Sequence, residues 1–229
     1  MSDLDKENLR QQLVSHEGLS VACALHIGSV NAVAQAAESV DLSHADFVYP
    51  DGYSVWLLAR RMGLRNVQRV ATTDLWEDVV KGLAKRHHRR VRLAIIGSEQ
   101  GVAEQAATSA RETLPIGETW AHHGFFTDSA PVIQSLRAFQ PDLVLVGMGM
   151  PLEMQWITRN YDLLPPALYM TCGGMLRLVA GHERRAPALF RRLRIEWLFR
   201  MVRFPKRDGR RYLTGFLTLL KALRDAQHK

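Results

Sequence analysis

Residues 91–114 read VRLAIIGSEQGVAEQAATSARETL. The first six, 91–96, are rich in aliphatic and β-branched side chains and read as a strand; Gly97-Ser98-Glu99-Gln100-Gly101 reads as a turn; and 102–114 has helical period. A strand that enters a helix through a short glycine-bearing turn is half of a βαβ unit, and the same succession recurs in both directions along the chain. Strands are predicted at 21–27, 46–49, 91–96, 142–146 and 168–172, and helices at 32–40, 55–62, 75–86, 102–114, 131–139 and 153–161. This alternation implies an α/β domain with a mainly parallel sheet flanked by helices. Several strands end in a helix-opening turn: Pro50-Asp51-Gly52, the 97–101 turn itself and Gly147-Met148-Gly149. Such turns lie at the carboxyl edge of a parallel sheet, where backbone N–H groups and helix dipoles favour anions, so the site is expected there.

Composition sets the remaining bounds. A chain of 229 residues, 47% hydrophobic and 23% charged, can bury one sizeable core, which excludes a disordered or fibrous protein. No apolar run approaches the roughly 18–20 residues of a membrane span. The opening MSDLDKENLRQQ lacks the basic and apolar regions of a secretory signal, so a cytoplasmic location is expected. Cys23 and Cys172 fall in predicted strands without the short spacing of a zinc site, and read as reduced core thiols.

Net charge is +7, but it is unevenly spread. Residues 182–229 carry fourteen Lys/Arg against four Asp/Glu, whereas 1–181 carries sixteen against nineteen. The chain thus divides into an α/β body, 1–181, and a basic appendage, 182–229, whose charge points to an anionic partner. In the appendage Leu189, Leu193, Trp197 and Met201 recur at helical spacing beside Phe190 and Phe204, with Arg191, Arg192 and Arg203 on the remaining face. After a break at 205–209, Tyr212, Phe216, Leu219, Leu220 and Leu223 form a second stripe flanked by Arg210, Arg211, Lys221 and Arg224. Such helices either pack on the body or lie in an anionic membrane interface, and one pair can do both.

Among the chemistry-bearing residues, Asp51 stands out because it ends a strand and opens a helix at the expected ligand edge. Helix capping and general-base catalysis are both open to it and are compatible. One carboxylate suffices when a sugar leaves a nucleotide diphosphate, since only the attacking hydroxyl needs a base; hydrolysis of a glycosidic bond needs a pair. Ser29-Val30-Asn31 also precedes a predicted helix. The adjacent pairs His87-His88 and His122-His123 cannot aim both rings at one metal from a regular element, and Asp3-Leu4-Asp5 lies at an extreme terminus. The 97–101 turn is neither a Walker loop nor a dinucleotide fingerprint, although its N–H groups could meet a phosphate or ribose.

Taken in order, these pieces resemble the WecG/TagA/CpsF family of bacterial glycosyltransferases over about residues 29–212. The resemblance rests on Ser29-Val30-Asn31-Ala32, residues 45–52 (ADFVYPDG), residues 68–75 (QRVATTDL), Gly124-Phe125-Phe126, residues 146–151 (VGMGMP), Cys172-Gly173-Gly174, Arg185-Ala186-Pro187 and residues 196–200 (EWLFR). It implies a Rossmann-like, GT-E-like sheet. It further implies an inverting, metal-independent transfer of a sugar, of the N-acetylmannosamine type or glucose, from a UDP-sugar to a polyprenyl-diphosphate-linked saccharide in cell-surface polysaccharide synthesis. Asp51 matches the base. Ser29, Asn31, Arg69, Asp74, Gly97, Gly147, Gly149, Glu153, Gly173 and Gly174 are the implied substrate-binding set, and Arg200, Arg207 and Arg210 the diphosphate clamp. No cofactor and no metal site are implied, and the enzyme would sit peripherally at the inner face of the plasma membrane; a homo-oligomer is compatible with this.

The chain also departs from the family pattern. Leu152-Glu153-Met154 stands where Lys/Arg-Gln-Glu is usual, Arg177 where Asp is common, Thr72 for a frequent Gly and Ser29 for Thr, and the interval from Asn31 to Asp51 is about six residues short. Altered or lost activity is the alternative these changes raise. Two other classes compete: a nucleic-acid-binding protein using the basic tail, for which no motif is visible and which leaves Asp51 unused, and a dinucleotide-dependent oxidoreductase, which the missing glycine fingerprint disfavours.

Overall fold

The computed structural model describes residues 6–26, 41–192 and 196–204, with isolated positions in the tail beyond them. In chain order the elements are α1 (Lys6–Ser15), β1 (Ser20–Leu25), β2 (Phe47–Pro50), α2 (Tyr53–Arg61), α3 (Thr72–His87), β3 (Val91–Gly97), α4 (Val102–Thr113), β4 (Ile116–His122), α5 (Ala130–Phe139), β5 (Leu143–Gly147), α6 (Leu152–Asn160), β6 (Leu168–Thr171), α7 (Met175–Val179), α8 (Ala188–Arg192) and α9 (Glu196–Arg203). The predicted helix at 32–40 lies outside the described residues.

All six strands pair in parallel, in the order β2-β1-β6-β5-β3-β4. The alternation along each strand explains why both faces are covered. Ala22 and Ala24, Leu93 and Ile95, Leu143 and Leu145, Leu168 and Met170 bury against one layer, which includes α1, α3, α4 and α7. Their neighbours Val21 and Cys23, Ala94 and Ile96, Val144 and Val146, and Tyr169 face the other layer, α5 and α6. The result is a three-layer α/β/α sandwich. In α3, Leu75, Val79 and Leu83 are fully buried, each side chain contributing about 1.5–3 kcal/mol relative to exposure. Leu9 and Leu13 of α1 pack into the same layer, and Gly82 lets α1 approach: a Cβ there would stand 2.5 Å from a Val14 methyl.

Two aspartates fix the amino edge. Asp46 accepts hydrogen bonds from Ser20 Oγ (3.0 Å) and the Val21 N–H (2.8 Å), tying β2 to the start of β1. Asp142 accepts two 2.7 Å bonds from Arg89 and one of 2.8 Å from the Arg92 N–H, tying β5 to β3. With the amino edge locked this way, the strand ends at the opposite edge come into register around one opening.

Candidate active site

That opening is a cleft of about 470 Å³ at the carboxyl ends of the strands. His26 follows β1, Asp51 follows β2, Cys172, Gly173 and Gly174 follow β6, Gly147 ends β5 with Met148 and Gly149 after it, and Ser98 and Glu99 follow β3; all line it. The outer wall comes from the appendage: Arg184, Arg185, Ala186, Glu196, Phe199 and Phe204. Ion pairs hold the wall to the body, among them Arg185 to Asp74 at 2.7 Å and Glu196 to Arg69 at 3.3 Å, and Arg185 also donates to Thr73 Oγ1 at 3.0 Å.

Asp51 owes its position to the segment that follows α2. Val70 N–H donates to Pro50 O at 3.0 Å, and the buried Tyr49 hydroxyl meets Thr72 Oγ1 at 3.1 Å, so residues 70–72 lie alongside the end of β2. Thr72 N–H then donates to Asp51 Oδ1 at 2.9 Å. The capping expectation is therefore corrected in its target: the N-cap of α2 is Gly52, with no side-chain cap, and Asp51 instead accepts the first N–H of α3. Anchoring negative charge at a helix N-terminus contributes about 0.3–1 kcal/mol and fixes the carboxylate's direction. Burial pushes the Tyr49 phenol well above its usual range, so it serves here as a neutral hydrogen-bonding group.

The glycines divide into two kinds. Gly147, Gly149, Gly173 and Gly174 line the cleft. Gly97 lies behind it: with φ +148 and a Cβ that would stand 2.5 Å from the Gly147 carbonyl, it is the contact that lets β3 and β5 end side by side. Ser98 follows with φ +61, an uncommon conformation for a residue with a side chain, and its backbone bonds to both Gly147 O and Gly124 N.

Of the remaining sequence-predicted residues, Arg69 lines the cleft beside Glu196, whereas Asp74 is engaged by Arg185 outside the lining. Glu153 is 1% exposed and lies beneath the floor, its Oε2 accepting from Gly173 N–H (2.9 Å) and Cys172 N–H (3.2 Å). This buried carboxylate and desolvation raise the thiols: Cys172 well above its ordinary value and Cys23 to about 12, in both cases with burial as the larger cause. Arg200 belongs to α9, but its side chain is outside the description; Ser29, Asn31, Arg207 and Arg210 lie outside the described residues. Arg177, the departure noted above, pairs with Glu99 and at 3.8 Å with Glu183 on the rim. His26 and Thr72 are cleft residues not singled out as ligands from the sequence: His26 falls within the strand predicted at 21–27 and Thr72 ahead of the helix predicted at 75–86, whereas β1 ends at Leu25 and α3 begins at Thr72. Among the described residues, no three His, Cys, Asp or Glu side chains gather as a metal ligand set.

A parallel sheet with a cleft at its carboxyl edge, an anchored carboxylate and arginines on the walls defines an α/β protein with a candidate ligand site at the strand ends. The chain belongs to the glycosyl transferase WecG/TagA/CpsF family, whose model matches residues 3–229. It is similar to the N-acetylglucosaminyldiphosphoundecaprenol N-acetyl-beta-D-mannosaminyltransferases of Staphylococcus aureus strains MW2, NCTC 8325 / PS 47 and COL. Each is 30% identical over 170 residues, 74% of this chain and 66% of the relative's length. No helix among the described residues is long and apolar enough to cross a membrane.

Proposed function

We propose that this chain is an inverting, metal-independent glycosyltransferase that moves a sugar from a UDP-sugar to a polyprenyl-diphosphate-linked saccharide. The observation that carries the reading is Asp51, fixed by Thr72 N–H in the wall of the carboxyl-edge cleft that also holds Arg69. The acceptor hydroxyl attacks the anomeric carbon as Asp51 takes its proton, and the bond from that carbon to the diphosphate breaks on the opposite side, which inverts the centre. Negative charge then gathers on UDP. Arg69, together with Arg200, Arg207 and Arg210 of the appendage, is assigned to stabilise it in place of a metal ion. The glycine turns bring backbone close to the ligand, and Ser29 and Asn31 orient the sugar. The relatives' names favour an N-acetylmannosamine-type donor and a lipid-linked N-acetylglucosamine diphosphate acceptor over the glucose alternative. An acceptor of that kind is embedded in a membrane, so the basic appendage is assigned to the anionic inner leaflet.

Ligand-dependent thermal stability tests the donor class. In EDTA, UDP at 100 times its Kd should stabilise the folded protein by about 2.7 kcal/mol, whereas NAD and single- or double-stranded nucleic acid should leave the melting temperature unchanged. Stabilisation by NAD or nucleic acid alone would transfer the chain to one of the competing classes.

A further inference from the structure

Beside the main cleft lies a second cavity of about 10 Å³, lined by Ala24, His26, Asp51, Thr72, Glu153, Thr171, Cys172 and Gly173. Its size fits one water, and its lining is rich in polar groups: two carboxylates, an imidazole and two hydroxyls, enough to hold a water by two to four hydrogen bonds. His26 and Asp51 line both cavities, so the small one joins the carboxylate to the imidazole from behind. Gly173 marks how closely the inner groups converge. A Cβ on it would stand 3.7 Å from His26 Nε2 and 4.0 Å from Glu153 Oε1. The other Glu153 oxygen is occupied by the Cys172 and Gly173 N–H groups, which fixes the carboxylate's orientation.

We propose that His26 is a relay residue behind Asp51, connected to it through one water in this cavity. The proposal rests on the reading of Asp51 as the base. As the acceptor oxygen bonds to the anomeric carbon, its proton passes to Asp51. Protonated Asp51 gives that proton to the water while the water gives one of its own to His26 Nε2, leaving Asp51 as a carboxylate, the water restored and His26 as imidazolium. His26 loses the proton to solvent through the main cleft once the products leave. The charged and titratable groups around His26 are Asp51 from the end of β2, Glu153 from α6 and Cys172 from the end of β6, with Tyr53, Arg69, Glu99, Arg177, Glu183, Arg184, Arg185 and Glu196 in the wider cleft. The two carboxylates that share the small cavity with it lower the cost of the transient positive charge. His26 acts through Asp51 and is therefore a positioning residue.

The test uses the full chain. His26→Gln keeps bulk and hydrogen bonding but cannot carry a proton. It should leave UDP affinity unchanged, lower turnover by about 10- to 100-fold, and remove an ionisation in the histidine range from the pH profile of kcat. His26→Ala should regain turnover when imidazole is added, a rescue that a merely structural role does not give. Independently of activity, the titration of the His26 ring, followed by NMR on histidine-labelled protein, should move downwards when Asp51→Asn removes the adjacent carboxylate. A His26→Gln enzyme within twofold of wild type at every pH, an Ala variant that imidazole does not rescue, or a ring titration indifferent to Asp51→Asn would each overturn the relay. Transfer strongly reduced by Asp51→Asn but within twofold of wild type in His26→Gln removes the relay alone; absence of transfer by the wild-type chain removes the underlying reading as well.

Discussion

Asp51 and Glu153 are carboxylates at the same edge of the sheet, yet the fold gives them opposite surroundings. Asp51 lines the open cleft with one oxygen on Thr72 N–H, while Glu153 is buried and spends one oxygen on the turn after β6. Asp51→Asn should therefore keep the fold, because an amide oxygen can still accept from Thr72, and should leave UDP binding nearly unchanged in a calorimetric titration. Turnover should fall by about 10²–10⁴; a loss of folding would instead mean that capping is its main role. The thiols behave as the residue scale requires. With Cys23 pushed up to about 12 and Cys172 raised well above its usual value, both are protonated at pH 8. A thiol reagent should label neither cysteine in the native protein, and both after denaturation. Asp51 was legible in the sequence because Asp-Gly after an apolar run marks a strand-to-helix turn. His26 was not, since nothing in its immediate neighbours distinguishes it, and Glu153, read as a ligand group, stands beneath the floor because α6 turns it toward the backbone of the turn after β6.

The inner strands were readable from their apolar runs, and so was the edge strand β2, whose Phe47, Val48 and Tyr49 are all apolar or aromatic; the opposite edge strand was not. The strand predicted at 91–96 is β3 to within a residue, and those at 46–49, 142–146 and 168–172 correspond to β2, β5 and β6 with shifts of one residue. β4 was missed because it is an edge strand whose residues after Ile116 are only partly buried, so Gly117, Glu118 and Thr119 gave no apolar run. α7 is too short to show a period, and α1 has only Leu9 and Leu13 as buried positions. The turn after β3 supplies a prediction at this scale. Gly97→Ala meets the Gly147 backbone at 2.5 Å as well as an unfavourable φ, whereas Gly101→Ala, at φ +85, meets nothing within 4 Å. Urea unfolding should show a loss of about 1–2 kcal/mol for Gly101→Ala, and of roughly 3 kcal/mol or more for Gly97→Ala, where overpacking adds to backbone strain. Equal losses would mean that the β3 and β5 ends are not in close contact.

At the scale of the whole molecule, appendage residues Arg184, Arg185, Glu196, Phe199 and Phe204 line the cleft together with the body. The proposed function gives the basic segment two tasks that salt can separate. In the full chain, Arg200→Ala, Arg207→Ala and Arg210→Ala should each lower transfer more than they lower binding to anionic vesicles, since a diphosphate needs particular donors and a membrane responds to summed charge. Vesicle binding should weaken between low and physiological ionic strength, as screened surface attraction does; equal, salt-sensitive losses in vesicle binding with unchanged transfer to a soluble acceptor would leave these arginines as an anchor only. The most direct test of the account is mass spectrometry of a polyprenyl-diphosphate-linked saccharide incubated in EDTA with the purified full chain and a series of UDP-sugars. The account expects the lipid-linked saccharide to gain one sugar, with one UDP released for each and the anomeric configuration inverted. An acceptor that remains unmodified with every UDP-sugar, or that is modified only after a divalent metal is restored, would contradict it.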